Sequence, residues 1–329
     1  MTSPGLDILA IGDAIVDVIA TCDEAFLAEH DLPKGSMQLL SPRQADALYA
    51  AMGSARETSG GSAANTMAGV AAMGGQAAFI GQIADDQLGK IFAHDMHALG
   101  VAFDTPPLAS GTLPTGRCLI LVTPDAQRTM NTCPGASHEL RADALDEAQI
   151  RAASILYLEG YLWGPAGPRG AMERAVAIAH DAGRQVAFTV SESVCIAGRK
   201  EGFARMIEAG GVDLLFANED ELFQMTASSD LDGALAEMAA KVPTLVITRG
   251  PAGAIAVERG QRIDIPAAPI PTLVDTTGAG DLFAAGFLTA RCRGVGLARQ
   301  LRTGAIAAAE IISHFGARPE ADLKAMVAL

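Results

Sequence analysis

Short apolar runs and amphipathic stretches alternate along most of the chain. The first, 6–12, is an apolar run closed by glycine, the pattern of a buried strand. After Ala63, small residues continue to about Met73 as a helix, followed by a strand at 76–81 and a helix at 87–99 behind Asp86. The rhythm resumes with strand 154–158, helix 167–182, strand 185–190, helix 200–209 and strand 212–217. Helices around 220–225 and 231–241, a strand at 244–248 and helices near 281–293 and 297–315 complete it. Repeated strand–helix units predict an α/β fold: a doubly wound, mostly parallel sheet with helices on both faces.

Two segments break this rhythm, 14–37 and 101–132. They carry short alternating runs, notably 117–123 and 128–132, separated by the turn-like Pro124-Asp125-Ala126-Gln127. These read as a small inserted β-sheet, a lid over a site that excludes water. The main domain is then expected to comprise 1–13, 38–100 and 133–329.

Composition narrows the class. The 329 residues allow one large domain or two ordinary ones. Half the chain is apolar and 19% is charged, which excludes a disordered or fibrous protein. The charge-free stretch 58–84 contains several glycines, Asn65, Gln76 and Gln82, so it is not read as a membrane span. A net charge of −14 opposes an extended nucleic-acid footprint, while a small anion remains compatible with a local positive potential. Cys22, Cys118, Cys133, Cys195 and Cys292 are scattered and never form a C-x-x-C pair, so neither a disulfide framework nor a zinc knuckle is indicated. His94 and His97 lack a third ligand nearby and read as a solvated helix face. With no basic segment before Asp7, the expected location is the cytoplasm.

The segment richest in chemistry is Asp275-Thr276-Thr277-Gly278-Ala279-Gly280-Asp281, followed directly by an apolar helical run. Its glycines allow close backbone approach, and a helix starting here points unpaired N–H groups at an anion. Asp281 at that terminus could take a proton from an attacking hydroxyl, or could be a helix-start residue stabilised by the dipole alone. Gly60-Gly61-Ser62-Ala63-Ala64-Asn65 also precedes a helix. There, paired glycines leave room for a polyol, and the Asn65 amide offers donor and acceptor; close packing of small residues on the sheet is the plainer alternative.

The order and separation of these two glycine segments resemble the ribokinase family, the PfkB-type carbohydrate and nucleoside kinases, across nearly the whole chain. The resemblance implies a doubly wound α/β domain with a β lid, Asp281 as catalytic base, and the backbone of Gly278, Ala279, Gly280 and Asp281 as anion hole. Asn218-Glu219-Asp220-Glu221 is similar to the family's Asn-x-x-Glu motif, which implies that Asn218 and Glu221 hold Mg2+ and phosphates largely through water; a capped helix start would look alike. Thr248, Gly250 and Gly253 resemble the turn that lines ATP. Gly12-Asp13-Ala14-Ile15-Val16-Asp17 resembles Gly-Asn-x-x-x-Asp, which implies that Asp17 binds sugar hydroxyls and Asp13 replaces an asparagine. Gly60, Gly61 and Asn65 would line the same acceptor.

Arg128 resembles the lid arginine of adenosine kinases that reaches the transferring phosphoryl group. The likeness to their bacterial members extends through 157–163 and 212–218, where Tyr161, Leu162 or Trp163 could pack on a purine or belong to the core. The expected reaction is γ-phosphoryl transfer from ATP to adenosine 5′-hydroxyl. The alternatives are a sugar kinase acting on ribose, fructose or a ketodeoxy acid, and a non-catalytic nucleoside- or sugar-binding protein. A monovalent cation, usually K+, is implied near Asp275 and Thr277. Partners are expected to be small molecules, with neither nucleic acid nor membrane, and both monomer and homodimer stay open.

Overall fold

The computed structural model describes residues 5–111, 113–125 and 127–329. Residues 1–4 at the start of the expected main domain, Thr112 in the expected lid and Ala126 of the expected turn lie outside the described residues. The strands in chain order are β1 (Leu6–Ile11), β2 (Ile15–Thr21), β3 (Met37–Leu39), β4 (Arg56–Gly60), β5 (Ala77–Ile80), β6 (Val101–Ala102) and β7 (Gly116–Val122). They continue with β8 (Arg128–Cys133), β9 (Ala153–Glu159), β10 (Gln185–Thr189), β11 (Leu214–Asn218), β12 (Thr244–Thr248), β13 (Ala254–Glu258) and β14 (Gln261–Ile265).

Nine strands form the large sheet in the order β14-β13-β12-β11-β10-β9-β1-β5-β6. All neighbours from β12 to β6 run parallel, while β13 and β14 add an antiparallel hairpin at one edge. Strand alternation feeds two cores. In β1, Ile8 and Ala10 enter the core shared with helices Ser62–Ala72, Ala279–Cys292 and Leu297–Ile311. Leu9 and Ile11 enter the opposite core with helices Ala166–Asp181, Ser193–Glu208 and Leu231–Ala239. The chain is therefore doubly wound, and a strand buried on both faces reads as a continuous apolar run.

The small sheet has the order β3-β8-β7-β2-β4. It recruits more chain than the alternating runs suggest, because β4 pairs antiparallel with β2 and β3 pairs parallel with β8. Both strands fall within 38–100 or at its edge, so that stretch is divided between the sheets, whereas β6 at 101–102 joins the large one. Backbone pairing, not hydrophobicity, recruits β4, whose sequence RETSG carries no apolar side chain. The last long helix ends at Ile311, short of Phe315, and the segment after it turns back towards the loop before Gly278 through a Gly316 N–H bond to Asp275. Among the described residues, no helix is long and apolar enough to cross a membrane.

Candidate active site

The carboxyl ends of β1, β9, β10, β11 and β12 lie side by side, the edge where parallel α/β sheets take ligands. Two glycine-led helices converge there. A Cβ on Gly69 would sit 2.6 Å from Leu282 Cδ1 and 2.8 Å from Ala285 Cβ, so the missing side chain lets helix Ser62–Ala72 press against helix Ala279–Cys292. Their first turns then meet. Ser62 Oγ donates to Asp281 Oδ1 at 2.6 Å, and Asn65 Nδ2 donates to Oδ2 at 3.1 Å. Asn65, expected on the acceptor, donates to Asp281, and its buried Oδ1 has no hydrogen-bond partner. Asp281 is half-buried at the start of its helix. Desolvation pushes its pKa up to about 6, against the opposing pull of Ser62, Asn65 and Arg318.

Gly278 starts the second helix with φ +78°, and no side chain caps that terminus. Of the expected anion-hole donors, the Ala279 N–H closes a turn on the Thr276 carbonyl at 3.2 Å. Gly280 and Asp281 carry the remaining N–H groups of the helix start, whose dipole favours negative charge.

Glu159, at the end of β9, was not singled out by its sequence context, yet it joins two of the expected substrate-binding segments. Its carboxylate accepts the Asp13 N–H at 2.6 Å and the Ala63 N–H at 2.7 Å, joining the first strand's exit to the first glycine helix. Asp13 is buried, and its Oδ1 has no hydrogen-bond partner. Burial raises its pKa, opposed by His138, Ser137 and Arg199. Asp17 shares one face of β2 with Ile15 and Ile19, while Val16, Val18 and Ala20 point into the core on the other. Gly60 makes room for it, since a Cβ there would lie 2.4 Å from Asp17 Cγ. Gly61, at φ +95°, approaches the Asp13 carbonyl so closely that a Cβ would sit 2.3 Å from it. Desolvation pushes Asp17 up to about 6 as well, with Arg318 and Arg128 pulling down and Asp281 pushing up.

Arg318 is the second residue sequence reasoning missed. Its Nη2 donates to Ser59 O at 2.7 Å and Ser59 Oγ at 3.0 Å, tying the C-terminal segment to β4, and its Nε and Nη1 are buried without partners. Arg128, on β8 of the small sheet, reaches across to the loop before the helix. Its Nη2 meets Asp275 Oδ2 at 2.5 Å and its Nη1 donates to Thr277 Oγ1 at 2.8 Å. Of the three candidate purine contacts, Leu162 and Trp163 are buried, Trp163 against Phe188 and Phe203. Tyr161 is half-buried and donates its hydroxyl to Glu192 at 3.2 Å.

The two segments expected to hold ATP are neighbours, because Asn218 and Thr248 are paired in register at the ends of β11 and β12. Asn218 and Glu221 form a reciprocal capping box, each accepting the other's backbone N–H at 2.8 Å. Burial raises the Glu221 pKa, and the neighbouring charges of Glu192 and Asp220 add to it. Gly253, at φ +91°, has no room for a side chain, since a Cβ would lie 2.0 Å from the Ile265 carbonyl; Gly250, at φ +52°, borders open space. No group of three metal-ligating side chains occurs among the described residues. A separate surface cavity of about 620 Å³, lined by His138, Arg141, Pro165 and Gly170, does not include Asp281.

A family model described as pfkB family carbohydrate kinase matches residues 6–323. Among solved structures, the chain is 42% identical to adenosine kinase from Sinorhizobium meliloti, covering 98% of each chain with a TM-score of 0.91. A probable sugar kinase from Rhizobium etli is 39% identical over 100% of this chain and 98% of its own, with a TM-score of 0.92. Among curated proteins, fructokinase of Klebsiella pneumoniae is 28% identical over 300 residues, covering 85% of this chain and 83% of that one. Adenosine kinase of Saccharomyces cerevisiae is 25% identical over 338 residues and 96% of both. The chain belongs to the pfkB family of carbohydrate kinases.

Proposed function

We propose that this pfkB-family kinase transfers the γ-phosphoryl group of ATP to a nucleoside hydroxyl, with the 5′-hydroxyl of adenosine as first candidate. The observation that carries the phosphotransfer reading is the position of Asp281 in the first turn of an uncapped, glycine-led helix, oriented by Ser62 and Asn65. A carboxyl with a pKa near 6 is ionised at neutral pH and still basic enough to receive the hydroxyl proton. The N–H groups of the helix start face the phosphoryl oxygens as charge develops, and Asp17 anchors the acceptor's neighbouring hydroxyls from the lid side. Arg128, tied to Thr277 one residue before Gly278, brings a positive charge to the same mouth.

Glu221 and Asn218 are the residues that would hold Mg2+ through water. The fit rests on electrostatics: Glu221 sits beside Glu192 and Asp220, a concentration of negative charge that a cation relieves. Mg2+ bound with the nucleotide neutralises phosphate charge. In-line transfer is then a matter of positioning two substrates in one cleft.

For the acceptor, the likeness to Sinorhizobium meliloti adenosine kinase across 98% of the chain supports a nucleoside. A sugar acceptor such as ribose, fructose or a ketodeoxy acid is favoured by a different observation. Trp163 is packed in the core and the Tyr161 hydroxyl is tied to Glu192, so the aromatic segment after β9 offers no free ring pair for a purine. A coupled ADP-release assay over nucleosides and free sugars tests both. Preferred use of adenosine supports the nucleoside reading, exclusive use of a free sugar replaces it, and ligand-induced stabilisation without ADP formation removes the kinase reading.

A further inference from the structure

We propose that the Arg128 guanidinium serves this chain as a built-in monovalent cation, fixing the loop that leads into the anion-binding helix and making it independent of dissolved potassium. The family resemblance implies a potassium site at Asp275 and Thr277, and the side-chain oxygens there do not fit one, because protein donors already take them. Asp275 Oδ1 accepts the Thr277 N–H at 3.1 Å and the Thr277 hydroxyl at 2.8 Å. Its Oδ2 accepts the Gly316 N–H at 2.9 Å and Arg128 Nη2 at 2.5 Å. A carboxylate offers about four lone-pair directions, and here four donors take them. Thr277 Oγ1 is engaged on both sides, donating to Asp275 and accepting from Arg128 Nη1 at 2.8 Å.

The pair is shielded from solvent, with side-chain exposures of 12% for Arg128 and 7% for Asp275, and the Arg128 guanidinium carbon lies 5.8 Å from the Phe315 ring centre. Removing one partner of such a pair leaves an uncompensated buried charge. The consequence reaches the site through the backbone. The Val274 N–H bonds to the Ile312 carbonyl at 2.9 Å, Asp275 holds Gly316, and Gly278 packs where a Cβ would lie 2.8 Å from Ala317 Cβ. Neutralising Asp275 therefore keeps loop 275–278 against segment 312–317. Because the charge comes from β8, it also anchors the lid to the main domain, which a diffusible ion cannot do.

The test is thermal unfolding of the full chain, without nucleotide or acceptor, at constant ionic strength in potassium chloride or choline chloride. Wild type should melt within about 1 °C in the two salts. Arg128→Met should melt lower in choline by about 4 °C or more, and potassium should restore the loss saturably. Arg128→Lys, which keeps the charge, should gain no potassium response. A saturable potassium stabilisation of wild type, a matching response in Arg128→Lys, or an Arg128→Met variant indifferent to the salt would each overturn the proposal. If Arg128→Met does not fold in either salt, the wild-type and lysine comparisons decide. The readout involves no phosphotransfer, so failure of the kinase reading and failure of this one are separate results.

Discussion

Ser62 Oγ donates to Asp281 Oδ1 at 2.6 Å, joining the first turns of two helices whose residues are 219 positions apart. The bond, with that from Asn65, orients a carboxylate in the first turn of its own helix, so contacts from a second helix distinguish Asp281 from an ordinary dipole-stabilised residue. Asp281→Asn keeps the shape and an acceptor for Ser62 while removing the base. Turnover should fall by at least about 10², with the ATP KM little changed. Steady-state kinetics beside a melting curve checks this; near-normal turnover in a folded variant eliminates the assignment.

The pH dependence follows from two carboxyls pushed up to about 6, Asp281 and Asp17, both chiefly by desolvation. Asp281 must be ionised to take the hydroxyl proton, and Asp17 accepts hydroxyl hydrogen bonds best as a carboxylate, so kcat/KM should fall as pH drops through about 6. Ser62→Ala removes a donor that favours the charged form, and the acid limb should move to higher pH. The stability consequence has the opposite sense from that of a salt-bridged aspartate. A carboxyl raised from 3.8 to about 6 on folding stabilises the native state below 3.8 and loses that contribution as pH rises through about 6. Asp281→Asn should therefore gain melting temperature relative to wild type between pH 4 and pH 7, readable by calorimetry across that range.

Gly60 is a steric test of the lid's role. A Cβ at this position would lie 2.4 Å from Asp17 Cγ and 2.4 Å from Oδ2, and β4 cannot retreat without breaking its pairing with β2. Gly60→Ala should displace the Asp17 carboxylate and raise the acceptor KM by about 10-fold or more, leaving the ATP KM near wild type. Equal rises in both Michaelis constants would mean that Asp17 does not contact the acceptor.

Legibility in the sequence followed burial. β1, β9, β11 and β12 are buried on both faces and stand out as apolar runs, and the glycine-led helix of Asp281 carries its own punctuation. β4 and β14 do not stand out. RETSG is held by pairing with β2, and QRIDI buries only Ile265, so neither presents an apolar pattern. The second layer of the site was equally silent. Glu159 meets its partners 146 and 96 residues away and Arg318 meets Ser59 259 away, distances over which no local periodicity operates. Arg128 lies on β8 of the small sheet, where an alternating run places a strand, but only coordinates show that it reaches the Asp275 loop.

Arg318 gives the strongest electrostatic prediction. Among the charges acting on Asp17 are Arg318 and Arg128 pulling its pKa down and Asp281 pushing it up; Arg318 also pulls on Asp281. Arg318 in turn is lowered to about 10 by burial, against Asp17, Asp281 and Asp95. Arg318→Met removes the charge shared by both carboxylates, so the acid limb of kcat/KM should shift up in pH, and it frees Ser59, so the melting temperature should also fall. Arg318→Lys separates the two effects. A lysine keeps the charge without the rigid guanidinium that sets Nη2 between Ser59 O and Oγ, so the acid limb should return towards wild type while part of the stability loss remains. Superimposable pH profiles for wild type and Arg318→Met would confine Arg318 to holding β4 in place and remove it from the electrostatics of the site.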